Sequence, residues 1–97
     1  MPTYISLLSW TEQGIKSYKE TLDRAKAAEG VAASLGGSLK ETYWTLGPYD
    51  VVAVSEFPDD ETATAFLLRL GSQGAIRTTS MRAFTSDEVS GILAKAG

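Results

Sequence analysis

Apolar and polar residues change period several times along this chain, and each change predicts an element. Tyr4 to Trp10 (YISLLSW) is apolar on both alternation sets, as in a strand covered on both faces. Thr11 follows as a helix N-cap, with Glu12 beside the positive end of the helix dipole. Ile15, Tyr18, Leu22, Ala25, Ala28, Ala32 and Leu35 then recur at helical spacing, which predicts an amphipathic helix running to a stop at Gly36-Gly37. Ser17 and Glu20 stand in capping-box spacing and, with Thr21, offer a second start, so a kink at Ser17–Thr21 stays open.

Ser38 to Leu46 alternates polar and apolar residues and is rich in Thr, Tyr and Trp, the pattern of a half-exposed edge strand. Gly47-Pro48 marks a turn. Asp50 to Phe57 (DVVAVSEF) is apolar on both parities and reads as a central strand ended by Pro58. Asp59, Asp60 and Glu61 crowd the start of a second helix, where capping explains them better than metal binding. Its apolar face is Ala63, Phe66, Leu67 and Leu70, and Gly71 to Gly74 closes it. Ala75 to Phe84 is a fourth, more polar strand, and Ser86-Asp87-Glu88 opens a last helix whose Val89, Ile92 and Leu93 are placed to dock on the body.

The order β-α-β-β-α-β plus a C-terminal helix is the split βαβ pattern of an α+β, ferredoxin-like plait. That topology gives an antiparallel four-stranded sheet in the order 4-1-3-2, with strands one and three central. They are also the two most apolar strands. In the first strand Ile5 and Leu7 lie on one side and Tyr4, Leu8 and Trp10 on the other; in the third, Val52 and Val54 oppose Val51, Ala53 and Phe57. Two helices cover only one face, so the other is left as an apolar patch that soluble monomers rarely carry. A second subunit packed sheet on sheet about a two-fold would cover it; the alternative cover is the C-terminal helix folded back.

Composition narrows the chemistry. At 97 residues the chain is expected to form one domain, 1–97, and 43% apolar content suits a water-exposed globule. No apolar run approaches the roughly 20 residues of a membrane span, and no basic leader precedes Tyr4, so a cytoplasmic protein off the membrane is expected. Within the chain there is no Cys and no His, which removes thiolate chemistry, disulfides, serine–histidine catalysis and the usual zinc and haem ligands. No metal or cofactor is expected. Net charge is −3 with nine scattered basic residues, and the strands lack an RNA-binding aromatic motif despite Tyr43 and Trp44, so nucleic acid is not an expected partner.

In the plait, the exit of strand one, the hairpin turn and the entry of strand four share one end of the sheet. The start of the first helix points its N–H groups there as well, toward any anion. Trp10, Thr11, Gln13, Tyr49, Asp50 and Arg77 therefore form a candidate ligand-binding constellation. Each also has a plain structural role available: Trp10 as core or interface, Gln13 at the helix start, Tyr49 packed in the turn, Asp50 holding a backbone N–H, and Arg77 paired with Asp50.

The stretches Leu8-Ser9-Trp10-Thr11-Glu12-Gln13-Gly14, Leu46-Gly47-Pro48-Tyr49-Asp50-Val51, Gly71 to Thr78 (GSQGAIRT) and Arg82-Ala83-Phe84 together resemble the GYD-domain family. The resemblance spans nearly the whole chain and implies a ferredoxin-like subunit related to dimeric α/β barrels, with no settled activity. Cofactor-independent oxygenases, isomerases and haem-handling enzymes in that wider group often rely on His, which is missing here. The leading expectation is a homo-oligomeric small-molecule-binding domain with a pocket near Gly47–Asp50. The alternatives are a cofactor-independent enzyme of oxygenase or isomerase type using Asp50 or Tyr49, and a structural or regulatory subunit without a ligand.

Overall fold

The computed structural model describes residues 1–97. Strand β1 (Thr3–Trp10) leads into a short helix α1 (Glu12–Lys16), a 3-10 turn (Tyr18–Glu20) and helix α2 (Thr21–Ser34). Strands β2 (Ser38–Trp44) and β3 (Val51–Glu56) form a hairpin, and α3 (Asp60–Ser72) crosses to β4 (Ile76–Ala83) before α4 (Ser86–Ala96). The sheet is antiparallel throughout in the order β2-β3-β1-β4, the expected 4-1-3-2 order read from its other edge. No helix is long and apolar enough to cross a membrane.

The kink left open by the sequence is a break at Ser17, whose φ of −109° and ψ of 37° interrupt the helix. Its hydroxyl caps nothing; it donates back to the Gln13 carbonyl at 3.0 Å. Arg24 bridges the break, its Nη1 donating to the Ser17 carbonyl at 3.1 Å and the Ser17 hydroxyl at 3.0 Å. The break corrects the expectation of one continuous apolar stripe. Ile15, Tyr18 and Leu22 are exposed, because the two helical segments no longer share a face. Only Ala25, Ala28, Ala32 and Leu35 of that series turn toward the sheet.

Alanines let α2 ride low on the sheet, and its end is fixed by a Schellman pair: Gly37 N–H donates to the Ala32 carbonyl at 2.9 Å and Gly36 N–H to Ala33 at 3.0 Å. Gly36 has φ of +77°, which favours glycine. A Cβ on Gly37 would collide with the Phe57 ring, so backbone and ring are in direct contact. Phe57, at 1% exposure, centres the core with Tyr4, Ala32, Ala63 and Phe66. Its ring packs 4.9 Å from Phe66 and 6.2 Å from Tyr4, centroid to centroid. The acidic helix start acts locally: Asp59 accepts from Thr62 N–H at 2.8 Å, and Asp60 accepts from the Tyr4 hydroxyl at 2.6 Å.

Two further expectations are corrected. Strand β2 stops at Trp44 instead of Leu46, because Thr45 N–H closes the hairpin loop on the Asp50 carbonyl at 2.9 Å and leaves Leu46 in solvent. The last helix begins with a Thr85–Glu88 capping box, but it does not dock: it buries no residue, and Val89, Ile92 and Leu93 stay exposed. The radius of gyration is 14.5 Å, against about 13 Å for a compact chain of about 100 residues. Arg82 anchors the root of α4, its guanidinium 4.3 Å from the Phe84 ring centre and 3.3 Å from the Glu88 carboxylate.

Strand register sorts the side chains into rows across the sheet. On the face away from the helices, Tyr43, Val52, Leu7 and Thr79 form one row, and Glu41, Val54, Ile5 and Met81 the next. Tyr43 and Met81 are exposed and the four aliphatic residues half-buried, so the apolar patch expected on this face is uncovered in the single chain.

Burial first, and then the bond to Asp60, push the Tyr4 hydroxyl up to about 12. The folded state therefore favours the neutral phenol. Its contribution to stability is complete below the unfolded value of about 10 and is lost as pH rises toward about 12. Urea titrations across that range will show a falling midpoint, and Tyr4→Phe will flatten the fall.

Candidate functional site

At the hairpin end of the sheet, three chain segments are tied together through main-chain groups. The Asp50 carboxylate accepts from Trp10 N–H at 2.8 Å, and Asp50 N–H donates to the Leu8 carbonyl at 2.9 Å, which staples the hairpin loop to the end of β1. Thr11 ties the next segment. Its N–H donates to the Ala75 carbonyl at 3.1 Å and its hydroxyl to the Gly74 carbonyl at 2.5 Å, while the same oxygen caps α1 by accepting from Gly14 N–H at 3.1 Å. Gln13 Nε2 donates to the Gln73 carbonyl at 3.2 Å. Gly14 is required by contact: a Cβ there would fall on the Ala75 carbonyl oxygen.

Five of the six candidate residues are thus brought to one place, with Tyr49 half-buried in the loop and its carbonyl accepting from the Thr45 hydroxyl at 2.6 Å. Arg77 is not brought in. It pairs in register with Ser9 on the face opposite Trp10, is exposed, and makes no ion pair with Asp50. The N–H groups at the start of α1, read as an anion seat, are partly consumed by the Thr11 cap of a five-residue helix.

Beside this knot a cavity of about 80 Å³ opens between the sheet and helices α2 and α3. One row on the helix side of the sheet is small, with Thr42, Ala53, Ser6 and Ser80 side by side across the four strands, and Thr42, Ala53 and Ser6 of that row line the cavity. The rows flanking it carry Leu39 and Tyr4 on one side and Trp44, Val51 and Leu8 on the other. From above, Ala25 and Ala28 of α2 are too short to fill the gap, and Phe66, Leu67 and Leu70 of α3 wall it. Trp10 borders the cavity; the other five candidate residues do not.

The polar groups facing this space are few. Ser6 shares a hydrogen bond with Ser80, oxygen to oxygen 2.7 Å. Arg24 and Thr21 border the cavity from the start of α2, and Thr21 accepts from the Trp44 indole N–H at 2.9 Å. Ser6, Ser55, Arg24 and Trp44 were not singled out as site residues from the sequence. The signal for the serines was present: each is a hydroxyl on the buried parity of an otherwise apolar central strand. Nothing comparable marks Arg24, whose placement depends on the helix break.

Replacing Asp50 by Ala removes the acceptor for Trp10 N–H and is expected to cost about 1.5–3 kcal/mol. Gly14→Ala must push α1 off Ala75 and is expected to cost about 1–3 kcal/mol. Urea unfolding of both variants measures these losses, with an Arg77→Ala control expected to stay within about 0.5 kcal/mol of the parent.

The chain is 32% identical over 84 residues to the Thermus thermophilus "Glutamine synthetase and cystathionine beta-lyase binding protein", covering 86% of this chain and 88% of that one. The crystal structure of TTHA0845, also from Thermus thermophilus, superposes with a TM-score of 0.58 at 25% identity, over 89% of this chain and 96% of that one. A feast or famine regulatory protein from M. tuberculosis superposes with a TM-score of 0.68 over 89% of this chain and 52% of its own, at 12% identity, a likeness of fold alone. The profile of the GYD domain matches residues 4–93, a span that holds the β1–α1 junction, the hairpin loop and the β4 entry that Asp50 and Thr11 tie together. The chain belongs to the GYD domain family.

Proposed function

We propose that this GYD domain is a homo-oligomeric module that holds a small molecule in the cleft between its sheet and helices, at the hairpin end. The observation that carries the reading is the row of small side chains under α2 and α3, which leaves space where a core would ordinarily be packed. Trp10 meets the ligand directly. Thr11, Gln13, Tyr49 and Asp50 act behind it by fixing the end of β1 and the hairpin loop, and Arg77 stands outside the site.

The oligomer is supported by the two apolar rows on the open face of the sheet, for which α4 provides no cover in the single chain. A second copy laid sheet on sheet buries Leu7, Val52, Ile5 and Val54 at once. The name of the Thermus relative supports a second reading, in which such an assembly presents a surface to metabolic enzymes. The two readings are compatible, since the cleft and the open face lie on opposite sides of the sheet.

A thermal-shift screen of small organic compounds tests the cleft. Stabilising compounds are expected, and Ala28→Leu, which fills the space from the helix side, will abolish their effect. An Ala28→Leu variant that responds like the parent places the site elsewhere. Sedimentation velocity tests the oligomer: the parent is expected as a dimer or larger and Leu7→Glu as a monomer, whereas a monomeric parent removes the sheet-on-sheet arrangement. Surface plasmon resonance against purified glutamine synthetase tests the second reading, and absence of binding at micromolar concentrations counts against it.

A further inference from the structure

The cleft has two polar features that an apolar void does not require. Ser55, at 4% exposure, lines the cavity with a hydroxyl that makes no hydrogen bond to the chain. No fully enclosed polar side-chain atom in the protein lacks a partner, so this oxygen borders open cavity space. Arg24 borders the same cavity with its side chain 22% exposed. Its Nη1 is occupied by Ser17 and pairs with the Glu20 carboxylate at 3.9 Å, and one Nη2 hydrogen is taken by the Gly14 carbonyl at 3.4 Å. The Nε hydrogen and the second Nη2 hydrogen have no acceptor in the chain. An arginine receives a carboxylate bidentately through Nε–H and an Nη2–H.

Most of the remaining lining is apolar, with Trp10, Trp44, Leu8 and Leu67 among it, and Ser6, Thr21, Thr42, Gln73 and Thr78 as its other polar members. A cavity of about 80 Å³ equals the liquid volume of roughly two to three waters at about 30 Å³ each, which limits the enclosed part of a ligand to a short chain or a single small ring. Resting on the reading of the cleft as a ligand site, we propose that its ligand is a small carboxylic acid with an apolar middle and an oxygen at its far end. The carboxylate sits on Arg24, the apolar part lies against the tryptophans, and the far oxygen meets Ser55. Binding supplies the acceptor that Arg24 lacks and the partner that the Ser55 hydroxyl lacks, while the middle displaces water from apolar walls.

Both tryptophans of the chain border this cavity, so intrinsic fluorescence reports the site directly. Hexanoate, hexanamide and 6-hydroxyhexanoate are the probes, titrated into the full chain at neutral pH. Hexanoate is expected to bind about tenfold tighter than the amide, and the hydroxy acid several-fold tighter again. Ser55→Ala will erase the preference for the hydroxy acid while keeping the preference for carboxylate, and Arg24→Gln will erase the preference for carboxylate. Because Arg24 also bridges the helix break, the comparison of acid and amide in the parent protein decides that point if Arg24→Gln does not fold. Equal affinity for hexanoate and hexanamide overturns the carboxylate assignment and leaves the cleft as a site for neutral ligands. Equal affinity for hexanoate and its hydroxy derivative overturns the role of Ser55. No change in fluorescence with any probe overturns the proposal, and a simultaneous failure of every compound in the thermal-shift screen overturns the cleft reading beneath it.

Discussion

The pairing of β1 with β3 in one register, Leu7 opposite Val52 and Ser6 opposite Ala53, is the constraint on which the rest of the protein depends. Side chains alternate across a strand, so this register decides which residues meet the helices and which meet solvent. A slip by one residue would put Ile5 and Leu7 under α2 and turn Tyr4, Ser6 and Leu8 outward. The aromatic core around Phe57, the row of small residues and the open apolar face are three consequences of one alignment. The end of that alignment is secured by Asp50 holding Trp10 N–H and by Thr11 holding Gly74 and Ala75.

The residues that carry the family resemblance therefore have a structural explanation. Gly14 is small because a carbonyl occupies the place of its side chain, and Asp50 is acidic because a main-chain N–H at a strand end needs an acceptor. Gly14 and Asp50 position the end of the cleft without lining it, while Leu8, Trp10, Val51 and Ala75 of the same stretches line it. The rest of the lining comes from residues of ordinary appearance, such as Ala28, Ala53 and Ser55, whose importance lies in their small volume or single hydroxyl.

The plait was legible because its central strands are apolar on both parities and its turns carry Gly and Pro at the boundaries. The end at which the hairpin, the first helix and the last strand meet followed from topology alone. The Ser17–Thr21 capping pattern left a kink open, and Arg24 reaching back to Ser17 holds the break found there. Three features were not legible, each for a physical reason. Arg77 was grouped with Trp10 by position in the chain, but adjacent register pairs point to opposite faces, and Ser9–Arg77 faces away. The small row beneath the cavity brings Thr42, Ala53 and Ser6 together from three different strands, and such a row is visible only once the register is known. The exposure of α4 was equally hidden, since its apolar stripe reads the same whether the surface it covers belongs to its own chain or to another.

The cleft exists because the row of small side chains leaves space that folding does not need filled. Ala53 lies in the middle of that row, beneath both helices. The melting temperature of Ala53→Leu tests this with no knowledge of the ligand. Filling a real cavity is expected to leave stability unchanged or to add about 0.5–2 kcal/mol, raising Tm by roughly 4–8 °C for each kcal/mol gained in a chain of about this size. A fall of several degrees would mean that the space above Ala53 is already packed, and would contradict the cleft.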